Sequence, residues 1–138
     1  MSEVLPVDLL LDIPPCLVVN KPGGLSTQSP PGIDSLEGRV RAFEKSRHGI
    51  EGNIYLGIPH RLDRPTSGVI VFTRHVRAAR RLSNQFERRT VEKRYWALVE
   101  GEPKASQGTW QDWLRKVPGQ AHVEVVSPDH PEGRLAVL

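Results

Sequence analysis

The sequence predicts an α+β domain, and three observations carry that prediction. Short apolar runs of strand character outnumber helical stripes, and the two do not alternate as they would in a doubly wound sheet. The length of 138 residues gives room for one domain and little more. Cys16 to Asn20 is the first run, β-branched and apolar, and Lys21-Pro22-Gly23-Gly24 ends it with strong turn chemistry. Residues 26–38 are rich in Ser, Pro and Gly and read as a loop. Leu36, Val40 and Phe43 fall at helical spacing, predicting a short helix over Leu36 to Arg47. Ile54 to Pro59 is a weak strand signal, and Val69 to Thr73 a clearer one. Val76, Ala79, Leu82 and Phe86 then form the stripe of an amphipathic helix, with Arg77, Arg81 and Arg88 away from it. Val91 to Val99 alternates as a strand does, placing Tyr95, Ala97 and Val99 on one face. Beyond Gly101-Glu102-Pro103, Trp110, Trp113 and Leu114 suggest a short packed segment, and His122 to Val126 a further strand.

Composition narrows the function classes. With 38% hydrophobic and 25% charged residues and a mean hydropathy of -0.39, the chain reads as soluble, and no apolar run approaches the length of a bilayer. Met1 to Leu10 has no basic head, apolar core and cleavage site, so no secretory signal is expected. Cys16, the single cysteine, has no internal partner; a buried structural thiol in a reducing cytoplasm is the expectation. His48, His60, His75, His122 and His130 are scattered, which predicts no zinc site, and no Gly-rich phosphate loop is present. The net charge is only +3, but Arg74, Arg77, Arg80, Arg81, Arg88, Arg89, Lys93 and Arg94 stand against Glu87 and Glu92 alone. Such a basic middle fits a polyanionic partner and fits a solvated helix face equally well.

One segment concentrates chemistry: His60-Arg61-Leu62-Asp63-Arg64-Pro65-Thr66-Ser67-Gly68. Pro65 discourages a helix, Gly68 permits a reversal, and a carboxylate sits between two arginines in the resulting turn. A carboxylate nucleophile works as the anion, which neighbouring guanidinium groups suit. On residues alone, a surface turn in which Asp63 pairs with Arg61 or Arg64 fits the pattern more readily.

The nine residues, continuing into Val69-Ile70-Val71-Phe72, resemble the central signature of the RluA-type pseudouridine synthases. Leu17 to Leu25, around Lys21-Pro22-Gly23, resembles that family's entry motif, and Glu92 to Gly101 its lysine-x-tyrosine strand, in the family's order. The resemblance covers roughly residues 8 to 138. It implies a pseudouridine synthase fold, with a mixed, largely antiparallel central sheet flanked by helices and loops. It implies an isomerase that converts uridine in RNA, ribosomal RNA ahead of transfer RNA, to pseudouridine, without cofactor, metal, membrane or obligate protein partner. Asp63 matches the catalytic aspartate and Tyr95 the tyrosine that packs against the target base. Arg61 matches a position that enters the RNA stack where the flipped uridine lay. His60, Arg64 and Lys21 are expected near the RNA, and Arg77, Arg81 and Arg88 at its phosphates. Lys21 is open to a second role, shaping the turn beneath the site.

Family catalytic domains continue into a Gly-Arg-x-His-Gln segment whose arginine pairs with the aspartate. Glu132 to Leu138 resembles only the approach to it, and Arg134 is not given that role. Residues 1–138 are therefore expected to hold the front portion of the catalytic domain, nearly inert alone. The alternative is a non-catalytic RNA-binding module of the same fold.

Overall fold

A computed structural model describes residues 6–120 and 122–138. Residues 1–5, part of the stretch expected to carry no secretory signal, lie outside the described residues. The chain divides into two compact units, 1–94 and 95–138. Each is an antiparallel sheet, and helices occur in the first alone among the described residues, so the α+β class expected from sequence is the one observed. No helix is long and apolar enough to cross a membrane.

In the first unit, β1 (Asp8–Ile13), β2 (Cys16–Lys21) and β3 (Gly68–Thr73) pair in that order. The β2–β3 register runs unbroken from Cys16 opposite Thr73 to Lys21 opposite Gly68. Period-two alternation then decides the packing: Leu17, Val19, Ile70 and Phe72 point to one face and are fully buried. They meet Leu36 and Val40 of α1 (Leu36–His48), with Leu56 and Leu62 from the intervening chain. Ser35 caps α1 by accepting from the Gly38 N–H, and Gly49 ends it at φ 64.

Arg74, just past β3, belongs to the basic middle of the sequence, but its charge is taken up internally. Its guanidinium donates to Glu44 of α1 (2.5 and 3.0 Å) and to Asp12 of β1 (2.6 Å). Those two carboxylates push its proton affinity above the usual arginine range, and Arg74 thereby ties helix to hairpin.

The second helix, α2 (Val76–Glu87), packs back along β3. Ala78 is buried and Ala79, Leu82 and Phe86 half-buried, whereas Val76, expected in the apolar stripe, is 57% exposed. It is the first residue after the His75 cap, where the helix has only begun to approach the sheet.

The expected strand at Ile54 to Pro59 reduces to one bridge, Gly57 with Thr73. Pro59 has no N–H to continue a ladder, and the next free β3 donor, Val71, is taken by the His60 ring instead. Cys16, expected to be buried, is only partly so.

The second unit is a sheet ordered β5 (Val123–Val126), β4 (Gln111–Lys116), β6 (Arg134–Val137). Trp113 and Leu114 are half-buried on its central strand, and Arg115 pairs with Glu124. Val91 to Val99, expected as a strand, forms none. Alternation supplies two faces, but a strand also requires a neighbouring edge, and no ladder involves this segment among the described residues. Trp96 and Leu98 stand fully exposed as a result.

Candidate active site

The chain before β3 folds back onto the chain after β2, which brings Arg61 to Arg64 beside Ser26, Thr27 and Gln28. Those residues line a small open pocket with Asp63 in its wall. The two sides are fastened at three points.

Lys21 makes the first fastening. As the last residue of β2 it points inward with the buried face and is fully enclosed. Its ammonium donates to the carbonyls of Pro22 (3.0 Å), Leu25 (2.6 Å) and Arg64 (3.1 Å). A buried charge is tolerated only when its donors are all spent, and here three carbonyls take three donors. Burial pushes the Lys21 ammonium below its ordinary range, and the negative charge of Asp63 opposes that shift. The expectation that Lys21 contacts RNA is therefore corrected. No surface of it is accessible, and of the two roles left open it has the one beneath the turn.

Backbone pairing supplies the second. The Gly24 N–H donates to the Arg64 carbonyl at 2.8 Å, and Arg64 Nε returns a bond to the Gly24 carbonyl at 2.9 Å. Gly24 sits at φ 84, which a side chain would disfavour. Arg64 stays exposed, with one of its nitrogens committed to this clasp.

The third is a hydroxyl. Thr27 Oγ1 donates to the Leu62 carbonyl (2.7 Å) and accepts from the Leu62 N–H (3.2 Å), while Leu62 itself is sunk in the core. The segment carrying Thr27 is in turn held by α1, whose leading N–H groups at Leu36 and Glu37 donate to the carbonyls of Ser26 and Thr27. The residue before Asp63 is thus fixed by side chain and by both backbone groups. After it, the Thr66 N–H closes a turn onto the Asp63 carbonyl at 3.0 Å.

Asp63 itself is exposed at the centre of this fixed loop. Its carboxylate takes no ion pair and no side-chain hydrogen bond among the described residues; the arginines that are paired in this unit are 39, 41, 47, 74 and 94. The surface-turn reading, in which Arg61 or Arg64 neutralises it, is not what the geometry has. Arg61 is likewise exposed and unpaired among the described residues.

His60 faces the protein. Its ring stacks on Phe86 of α2 with centroids 4.4 Å apart, and its Nε2 accepts the Val71 N–H at 3.0 Å. Burial, and secondarily the charge of Lys93, lowers its affinity for a proton, which agrees with a nitrogen that must keep a lone pair for Val71. His60 thus supports the start of the Asp63 segment, with its ring only partly buried.

Tyr95 begins the second unit and is 59% exposed on a segment that pairs with no strand. Arg77 and Arg81 are exposed on α2, and Arg88 is its exposed C-terminal cap. Sequence reasoning passed over Ser26, Thr27 and Gln28, since only the fold brings them to a residue some 35 positions away.

The model of the RNA pseudouridylate synthase family matches residues 15–137. The chain belongs to the RNA pseudouridine synthases. Relatives of this family include an uncharacterised RNA pseudouridine synthase of Synechocystis, 31% identical over 99% of this chain and 42% of its own. Ribosomal large subunit pseudouridine synthase C of Buchnera aphidicola is 35% identical over 73% of this chain and 28% of its own. Among solved structures, human RNA pseudouridylate synthase domain containing 4 superposes with a TM-score of 0.76 at 25% identity, covering 94% of this chain and 51% of that one. The chain thus spans about half or less of the length of these pseudouridine synthases. Its matches to ribosomal large subunit synthases place it with the RluA type.

Proposed function

We propose that this chain acts on RNA as a pseudouridine synthase, with the carboxylate of Asp63 as nucleophile and ribosomal RNA as substrate. The observation that carries this reading is an unpaired carboxylate on an immobilised loop. Structural carboxylates satisfy themselves with cations, as Asp12 and Glu44 do at Arg74. Asp63 lies next to two arginines, pairs with neither, and faces an open pocket.

The isomerisation breaks the glycosidic bond from ribose to the base nitrogen and forms a carbon–carbon bond from the same ribose carbon to the base. The base carbon gives up its proton and the nitrogen gains one, so no electrons enter or leave. Attack by Asp63 on sugar or base holds the fragment while the base turns; cleavage builds oxocarbenium character on the ribose, which a carboxylate stabilises. Lys21 beneath the loop offsets part of the phosphate field without reaching the RNA. Arg61 is free to fill the stack vacated by a flipped uridine, and Tyr95 to receive the base on its ring. Arg64, Arg77, Arg81 and Arg88 are assigned to the RNA backbone.

The test is to incubate a full-length synthase carrying this portion with unmodified ribosomal RNA and map pseudouridine chemically. New sites that vanish with Asp63→Asn support the reading. RNA binding without any new site would instead support a non-catalytic RNA-binding module.

A further inference from the structure

We propose that the groove along α2, lined by Arg77, Arg80, Arg81 and Asn84, is a second RNA-backbone site outside the Asp63 pocket. The proposal rests on the reading of this chain as an RNA-acting protein and deepens it. The groove is an open cavity bordered by Val76 and those four residues. Positions 77, 80, 81 and 84 follow the helical i, i+3, i+4, i+7 spacing, so one face carries them all.

Three arginines there are exposed, and none is ion-paired among the described residues, whereas the arginines of α1 and its flanks each find a carboxylate. The two helices also differ in how charge is placed along them. α1 has Glu37 in its first turn and Lys45, Arg47 and His48 in its last, the arrangement that a helix dipole favours. α2 reverses it, with no acidic residue in its first turn and Arg77 there instead. Three guanidinium groups gather along this face, and no carboxylate pairs with them among the described residues. A phosphodiester strand neutralises them without needing a particular sequence.

The fold also places this groove relative to the pocket. Phe86, near the C-terminal end of α2, stacks on His60, which opens the Asp63 segment. Arg88 and Arg89 therefore lie toward the pocket and Arg77 away from it. From Arg88 back to Arg77 the helix extends about 16 Å at ~1.5 Å per residue. A stacked strand covers that in about five nucleotides, taking roughly 3.4 Å each. Along that path the groove's nearest arginine, Arg81, lies about 10 Å from Arg88, roughly three nucleotides, and Arg77 at the far end.

The experiment measures binding of the full chain to two single-stranded RNAs, a pentamer with a central uridine and a 20-mer, across ionic strength. The variants are Arg77→Ala/Arg80→Ala/Arg81→Ala and the matching triple change to Lys. With the 20-mer, the Ala variant is expected to bind at least tenfold more weakly at low salt. Its slope of log affinity against log salt should fall by about 2, at ~0.7 for each phosphate that is no longer neutralised. The Lys variant should retain most of the affinity, and the pentamer should bind all three proteins alike. An unchanged slope with the 20-mer would overturn the groove and leave the Asp63 reading standing. Equal losses on the pentamer would move these arginines into the pocket and also overturn it. Failure of the unaltered chain to bind either RNA would overturn both the groove and the reading on which it rests.

Discussion

Replacing Thr27 with Val keeps the shape of the side chain and removes one oxygen. That oxygen serves both backbone groups of Leu62, at 2.7 and 3.2 Å, and Thr27 is 4% exposed. Water cannot substitute without opening the loop. Each buried backbone group left without a partner costs about 1–3 kcal/mol, so the pair predicts a loss of about 2–6 kcal/mol if the loop stays closed. If it opens instead, part of that energy is recovered and the position of Asp63 is lost. A displacement of about 1 Å at a reacting group can cost roughly a hundredfold in rate. Urea unfolding of Thr27→Val and Thr27→Ser, alongside pseudouridine formation by each, measures both effects. Thr27→Ser retains the oxygen and should remain within about 1 kcal/mol of the unaltered chain. If Val is as stable as Thr, or Ser as damaging as Val, the hydroxyl does not hold the loop.

His60 gives a pH dependence. Its proton affinity is lower in the fold than in the unfolded chain, so the unfolded state binds more protons between the two pKa values. Stability is therefore full above the unfolded value near 6.5 and falls as pH drops below it, by at most about 1.4 kcal/mol per unit. His60→Gln should flatten that slope between pH 7 and 5 in urea titrations; an unaltered slope would assign it to another group. Arg89 follows the α2 cap at φ 55, a left-handed conformation that favours glycine. Arg89→Gly should raise stability by about 1 kcal/mol, and a loss would mean that the Arg89 side chain makes a stabilising contact.

Much of the first unit was legible because local signals and burial agree there. In β2, β3 and α1 the apolar spacing coincides with the observed core, and the Asp63 segment was singled out by its residues. What escaped the sequence depends on partners far along the chain. β1 went unseen, since Leu9, Leu10 and Leu11 are a continuous run without alternation and the strand is defined by its ladder to β2. β6 escaped likewise, as its four residues acquire their meaning from β4. Val91 to Val99 failed in the opposite sense, having the alternation without the partner. Within the site, residue type alone suggested an RNA contact for Lys21 and gave no sign that His60 supports the Asp63 segment. A lysine ending a strand on its buried face, and a histidine whose nitrogen replaces a missing ladder acceptor, both belong to the scaffold.

The central claim is that the Asp63 carboxylate, held unpaired on its stapled loop, performs the covalent step. The most direct measurement is single-turnover tritium release from RNA labelled at the uracil carbon that bonds to ribose, with a full-length synthase carrying this portion, unaltered and as Asp63→Asn, at saturating protein. The substitution is nearly isosteric and leaves Lys21, Thr27 and the Gly24–Arg64 clasp in place, so RNA binding should stay within a few-fold. The account predicts release by the full-length synthase with Asp63 intact and none above background by the variant. Release by Asp63→Asn at a rate near that of the unaltered synthase would contradict it.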